Sequence, residues 1–110
     1  MPHFLSSKVV ERFVPMMRRK HVSEVARSPR GFLTTYLDVG GAPRRMGPDW
    51  LPRRKGFIAR HMAQMIGNGE PLYDAQGLPT RRHLALIAWA YSPDPTSVSA
   101  ISRRLRGRRE

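Results

Sequence analysis

Residues 80–91, TRRHLALIAWAY, are the stretch that decides the fold class of this chain. Thr80 is a preferred helix N-cap residue, and the apolar side chains after it lie on several sides of a helix rather than along one stripe. This distribution is typical of a helix surrounded by other elements. We therefore predict a helix over 81–91, terminated by Pro93 and Pro95, as the most buried element of the fold.

Apolar residues at helical spacing continue on both sides of this stretch, and caps, prolines and glycines divide them into short helices. No region alternates with period two over any length. The predicted helices are, in chain order, 6–20 with an interruption at Pro15, 22–26 as a single turn, Ser28 to Gly40–Gly41, Asp49 or Pro52 to Gly67–Gly69, 81–91, and 96–106. The sequence predicts an all-α fold, a compact bundle of four to five short helices over 1–106 with a flexible basic C-terminal arm at 107–110.

Composition limits the classes of protein to consider. The chain has 110 residues and no cysteine, which excludes disulfides and thiolate metal sites. No apolar run reaches the ~20 residues that cross a bilayer, and the first residues do not resemble a secretory signal. We expect a protein that is not secreted and has no membrane partner, in a virion or inside a host cell. Oligomeric state is left open.

Positive charge is the main functional signal. The chain carries 20 basic and 8 acidic side chains, for a formal net charge of +12, and 17 of the basic residues are arginine. The planar guanidinium group grips phosphate oxygens in pairs, whereas lysine acts as a point charge. A domain with this much like charge repels itself unless a polyanion binds, so nucleic acid is the first candidate partner.

Basic residues occupy or adjoin the predicted first turns of three helices, where the helix dipole opposes them. A bound phosphate removes this conflict, because free amides and guanidinium groups then face one anion. The alternative is that the arginines keep the domain soluble or pair with the few acidic residues. The predicted nucleic-acid-binding residues are Arg18, Arg19, Lys20, Arg30, Arg44, Arg45, Arg53, Arg54, Lys55, Arg81, Arg82, Arg103, Arg104, Arg106, Arg108 and Arg109.

A short pattern repeats 25 residues apart. Arg30-Gly31-Phe32-Leu33 and Lys55-Gly56-Phe57-Ile58 each place a base, a glycine, an aromatic residue and a branched aliphatic residue before two core positions. The repeat is either a coincidence of amphipathic helices or a pair of helices whose first turns meet an anion. Glycine at this position lets a backbone or a ligand approach closely.

Catalytic and metal-binding patterns are weak. We predict that the protein is not an enzyme and has no cofactor, because the sequence lacks a metal motif, paired carboxylates, or a nucleophile beside a base. His61 is predicted to be a core or boundary residue, and His83 to help contact an anion. A nuclease-like cluster of Tyr73, Asp74 and His83 is a minor alternative. Trp50 is the one good candidate for stacking on a single strand.

Residues 53–93 resemble a small basic domain of unknown function that occurs in cyanobacterial tailed phages and large DNA viruses. The matching features are Arg54-Lys55-Gly56-Phe57, Gly69-Glu70-Pro71-Leu72, and Pro79-Thr80-Arg81 leading to Ala88-Trp89-Ala90, and the upstream segment 22–41 is similar to segments found beside such domains. The family has no established activity, so the resemblance implies only a setting. That setting is a virus particle or an infected cell, where small basic proteins neutralise packed genomes.

The sequence as a whole predicts a non-enzymatic protein that binds nucleic acid largely independently of sequence. Double-stranded DNA is the expected partner, and compaction of a viral genome is the most concrete role. Capsid or other virion proteins are further candidate partners. One alternative is a structural component of a large assembly, such as a minor capsid or ribosomal protein. A second alternative is a small DNA-binding regulator.

Overall fold

The computed structural model of the protein describes residues 3–107, and side chains to Leu105. Over this range the fold is all-α, with an isolated antiparallel bridge between Tyr73 and Pro79 and no β-strand. The described helices are α1 (Ser7–Arg12), α2 (Val14–Lys20), α3 (Phe32–Asp38), a 3₁₀ turn (Pro43–Arg45), α4 (Trp50–Asn68), α5 (Arg81–Ile87) and α6 (Pro95–Gly107). The fold class is therefore as predicted, and residues 108–110 of the predicted arm lie outside the described residues.

The central position of α5 is confirmed, because Leu84, Leu86 and Ile87 are fully buried. The helix is shorter than predicted and ends at Ile87, well before the two prolines expected to terminate it. Ala90 adopts a left-handed conformation with φ 60°, and its carbonyl accepts a 2.7 Å hydrogen bond from the amide of Leu5. A contact with the distant N-terminal segment therefore accompanies this turn, and no local sequence signal marks it.

The boundaries of the first helices depend on local signals. The Ser6 hydroxyl caps α1 by accepting from the Val9 amide at 3.3 Å. The predicted interruption near Pro15 is confirmed, since α1 ends at Arg12 and α2 begins at Val14. Proline is tolerated there because the first-turn amides of a helix have no intrahelical acceptor. No helix forms at 22–26, where a single helical turn was predicted; residues 24–27 form a turn that is closed by a 3.1 Å hydrogen bond from the amide of Arg27 to the carbonyl of Ser23.

α3 begins later than predicted. Gly31 is its N-cap, and the Ser28 hydroxyl donates to the carbonyl of Val25 at 2.6 Å instead of capping the helix. A Cβ atom on Gly31 would overlap the carbonyl oxygens of Val25 and Ala26. This close backbone approach requires glycine and moves the start of the helix three residues beyond the expected cap.

The long helix α4 agrees with the prediction at both ends. It begins after Asp49 and ends at Gly69, which adopts a left-handed φ of 64°. Among residues 3–107, no helix is both long enough and apolar enough to cross a membrane. α4 packs against α5, while α2 also contacts α5, and α1 contacts α6. The first and last helices thus pack against each other, while α2 and α4 pack against the central helix.

A column of aromatic rings passes through this core. Consecutive ring centroids are separated by 5.7, 5.6, 4.7, 4.6 and 3.9 Å. The rings are, in order, Phe4, Tyr36, Phe32, Trp89, Phe57 and His61. Each well-placed aromatic pair contributes about 0.5–1.5 kcal/mol beyond the burial of its area. The column fixes α3 and α4 on either side of Trp89.

Candidate nucleic-acid interface

Arg54 is buried and does not reach solvent, with 2% of its surface exposed. Its guanidinium donates to the carbonyls of Trp89 at 2.7 Å, Ala90 at 2.8 Å and His3, and lies 3.7 Å from the ring centroid of Phe4. The carbonyls of Trp89 and Ala90 lie beyond Ile87, the last residue of α5, in the turn that follows the helix. Arg54 therefore holds this turn against the N-terminal segment, and its burial contradicts the prediction that it contacts nucleic acid.

Burial has a measurable electrostatic consequence for this side chain. Desolvation lowers the pKa of Arg54 to about 10, so the guanidinium remains charged at neutral pH. The cost of burying the charge is offset by the carbonyl oxygens and by the aromatic face beneath it. The charged group belongs to the core of the fold, not to its surface.

Arg81 has a related role at the end of a helix. Its guanidinium donates to the carbonyl of Lys20, the last residue of α2, and at 3.5 Å to the carbonyl of His21. The side chain is exposed, but part of its donor capacity is used by these carbonyls. An arginine that the sequence places at the start of α5 thus stabilises the end of α2.

Arg82 is paired with an acidic residue of the protein itself. Its Nε donates to Glu70 at 2.7 Å, and its Nη1 lies 2.8 Å from the Gln64 oxygen and 2.9 Å from Nδ1 of His61. Hydrogen bonds from Arg82 and Asn68 lower the pKa of Glu70 to about 2. This pair fastens the connection after α4 to α5, so the assignment of Arg82 as a phosphate ligand is not supported by its geometry.

The predicted phosphate cradles at helix starts are therefore not assembled. α4 begins at Trp50, so Arg53, Arg54 and Lys55 lie beyond its first turn rather than within it. Arg81 and Arg82 do occupy the first turn of α5, but Thr80 caps that helix and both guanidinium groups have protein partners. Arg30 remains at a helix entrance, immediately before the N-cap of α3.

Other predicted cations are free to meet a partner. In the described part of the chain, a carboxylate approaches a basic side chain within 4 Å at two places, Arg82–Glu70 and His21–Glu24. Lys20 is half-buried, and the side chains of Arg106, Arg108 and Arg109 lie outside the described residues. Arg81 is exposed too, but its guanidinium donates to the end of α2. The other exposed predicted residues have no carboxylate neighbour among the described residues, and they are Arg18, Arg19, Arg30, Arg44, Arg45, Arg53, Lys55, Arg103 and Arg104.

A groove of about 370 Å³ brings two of these residues together with a third arginine. Its basic lining residues are Arg30, Arg53 and Arg60, and among the described residues that line it none is acidic. The guanidinium of Arg53 lies 5.0 Å from the ring centroid of Trp50, within cation–π range. The aromatic lining consists of Phe32, Trp50, Phe57 and Trp89.

The repeated sequence pattern converges on this groove. Phe32 and Phe57 both stack on the ring of Trp89, with centroids 4.7 and 4.6 Å from its centroid. Phe32 is the first residue of α3 whereas Phe57 lies in the middle of α4, so the hypothesis of two equivalent first turns is wrong. The two glycines also differ. Gly31 admits the protein's own backbone, while a Cβ on Gly56 would meet only the Arg60 guanidinium at 3.4 Å.

Arg60 is the member of the groove that the sequence prediction omitted. A usable signal was present, because Arg53, Gly56, Phe57 and Arg60 follow the i, i+3, i+4, i+7 spacing of one helix face. Arg60 lies in the interior of α4, away from the helix starts where the sequence prediction placed phosphate contacts. The helix face is a better guide to this groove than local charge density.

His83 is fully buried, so the prediction that it contacts an anion is wrong. Its Nδ1 lies 2.9 Å from the Leu72 carbonyl, and the Ser92 hydroxyl lies 2.7 Å from its Nε2. A carbonyl only accepts, so Nδ1 carries the proton and Ser92 donates to Nε2. This resembles an activated serine, but both side chains are 0% exposed. The pair therefore serves as an internal hydrogen bond.

The minor alternative of a nuclease-like cluster is not supported either. Asp74 accepts from the amides of Gln76 and Leu78 at 2.9 and 3.0 Å, which shapes its own turn. The Tyr73 hydroxyl donates to Asp94 at 2.9 Å. His61 is half-buried and stacked on Phe57, as predicted for a boundary residue. Among residues 3–107, no group of acidic or histidine side chains is arranged to hold a metal ion.

We compared the chain with protein-family models, with curated proteins and with solved structures, and none of the three comparisons gave a match. Surface charge and the groove are therefore the features of the molecule that bear on its function.

Proposed function

We propose that this protein is a non-enzymatic nucleic-acid-binding protein whose contacts are mainly to phosphates and are largely independent of base sequence. Double-stranded DNA is the proposed partner. The observation that carries the proposal is the set of exposed arginines that have no carboxylate neighbour within the described range 3–107, in a chain with a formal net charge of +12. Such cations release counterions when they meet a phosphate backbone, and this release favours binding.

The distribution of these residues favours neutralisation of phosphate charge over sequence-specific recognition of bases. The exposed arginines lie on α2, before α3, on the 3₁₀ turn, on α4 and on α6, rather than along one helix that would enter a groove of DNA. Phosphate contacts position a protein without specifying sequence. Compaction of a viral genome is the setting we propose, on the resemblance of residues 53–93 alone.

Binding of an unrelated duplex across a salt series tests the proposal. With about six to ten phosphate contacts, we expect affinity to fall by about 10³- to 10⁵-fold between 50 and 200 mM salt. Two unrelated duplexes should bind equally. A preference for one site would favour the regulator, and poor binding of free DNA with retained protein partners would favour a component of a large assembly.

Paired variants separate surface charge from structural charge. Arg44→Gln with Arg45→Gln removes two exposed guanidinium groups from the 3₁₀ turn, and we expect the slope of log affinity against log salt to fall by about one per lost phosphate contact. Arg82→Gln removes one guanidinium already paired with Glu70. It should leave the slope unchanged, and an effect equal to that of an exposed arginine would contradict the assignment.

A further inference from the structure

The groove has a chemistry that phosphate neutralisation alone does not require. Phosphates need cations, yet this groove surrounds its three arginines with four aromatic side chains. Phe32 is buried, and the rings of Trp89 and Phe57 are stacked on aromatic neighbours, whereas Trp50 is partly buried and meets Phe32 and Trp89 at interplanar angles of 73° and 60°. Trp50 is therefore the ring on which a ligand would stack. A fitting ligand therefore has a flat apolar face and negative charge close to it.

We propose that the groove between the segment 25–32 and α4 binds an unpaired nucleobase, with the adjacent phosphates held by Arg30, Arg53 and Arg60. This inference rests on the proposed function, because nucleic acid is the ligand in both. Bases of any identity present a π-face to aromatic side chains, so such a site adds affinity without sequence preference. Single-stranded nucleic acid is therefore the ligand that this site adds to the proposed duplex partner.

The size and charge of the groove agree with this occupant. Its volume of about 370 Å³ lies within the range of sites that enclose small organic ligands. Arg53 over the Trp50 ring and Arg60 beside Gly56 put cations at the margin of the aromatic surface. The absence of acidic residues among its described lining residues leaves this charge unneutralised.

A paired duplex does not satisfy the site, since each of its bases is stacked between neighbours and its faces are covered. An acidic peptide with an aromatic residue is the competing occupant. Nucleic acid is favoured because it supplies a flat ring and a charged phosphate in every residue, which matches three cations gathered around one aromatic surface.

Tryptophan fluorescence provides a direct readout. Trp50 and Trp89 are the two tryptophans of the chain, and both line the groove. The probes are a deoxythymidine strand of about 12 nucleotides, an abasic strand of the same length, and a duplex of matched length. We expect the deoxythymidine strand to quench the fluorescence and the other two to leave it nearly unchanged while still binding.

Two glycines of α4 provide a matched pair of variants. Gly56→Leu adds a side chain in the groove, whereas Gly67→Leu adds the same side chain where no atom lies within 4 Å of the new Cβ. We expect Gly56→Leu to abolish the quench and lower single-strand affinity about 5- to 100-fold, while duplex affinity stays within about 2-fold. Gly67→Leu should behave as the parent protein. Arg60→Gln, which changes an exposed side chain, should lower single-strand affinity without a loss of helical circular dichroism.

The outcomes distinguish the two proposals. Equal quenching of the parent protein and of Gly56→Leu overturns the groove assignment, as does equal affinity for the abasic and deoxythymidine strands. Quenching by an acidic aromatic peptide but not by the deoxythymidine strand also overturns it. Salt-dependent duplex binding, with no quench by the deoxythymidine strand, leaves the proposed function intact and rejects this inference. Quenching by the single strand with no duplex binding supports the groove and rejects duplex neutralisation.

Discussion

Replacing Arg54 with methionine should destabilise the fold without acting through nucleic-acid contacts. Methionine preserves an unbranched chain but removes every donor from a residue that is 2% exposed. The carbonyls of Trp89 and His3 then lose the guanidinium, while the Ala90 carbonyl keeps the amide of Leu5. The turn that follows α5 and its link to the N-terminal segment are both weakened.

The magnitude follows from the number and kind of lost interactions. Each hydrogen bond from a charged donor contributes about 1.5–3 kcal/mol, and the substitution removes at least the three to the carbonyls of Trp89, His3 and Ala90. Relief of charge burial offsets part of this loss, since desolvation already lowers the pKa of Arg54 to about 10. We expect the free energy of unfolding to fall by about 3–5 kcal/mol. At about 4–8 °C per kcal/mol, Tm should fall by more than ~12 °C.

The neighbouring residue provides the control. Lys55 is exposed and has the adjacent position in the same helix, so Lys55→Met should change stability by no more than about 0.5 kcal/mol. Thermal and urea unfolding followed by far-ultraviolet circular dichroism measure both variants. Equal stability of Arg54→Met and Lys55→Met would refute the conclusion that Arg54 holds the turn after α5 against the N-terminal segment.

Three further predictions concern stability. Gly31→Ala should lower the free energy of unfolding by more than about 2 kcal/mol, because the new Cβ overlaps backbone carbonyls, and a near-parental melting curve would contradict this. Gly56→Ala should raise it by about 0.5–1 kcal/mol in urea unfolding through helix propensity, and a loss of stability would show that the groove lacks room there. Burial lowers the pKa of His83, so the unfolded chain binds its proton at a higher pH than the folded protein does. The free energy of unfolding should hold its full value above pH ~6.5 and fall as the pH is lowered towards 5, by up to ~1.4 kcal/mol per pH unit. His83→Gln should show a shallower dependence of this free energy on pH. Identical slopes for the two proteins in urea melts across a pH series would contradict this.

The sequence by itself determined the features that arise from neighbouring residues. The all-α class, the break near Pro15, the end of α4 at Gly69 and the cap of α5 at Thr80 all follow from contacts within a few positions of one another. The start of α3 departs from this rule, because its position depends on the packing of Gly31 against the carbonyls of Val25 and Ala26. Local signals thus predict most helices but not every boundary.

The tertiary structure decided which cations are structural and which face solvent. Arg53, Arg54 and Lys55 are adjacent and chemically similar, yet only Arg54 is buried, by carbonyl partners 35 to 51 residues away. The groove likewise brings Arg30 together with Arg53 and Arg60, because phenylalanine rings from α3 and α4 both stack on Trp89. The physical reason is that a guanidinium's partners are set by packing between distant segments, whereas a helix is specified largely by hydrogen bonds between near neighbours.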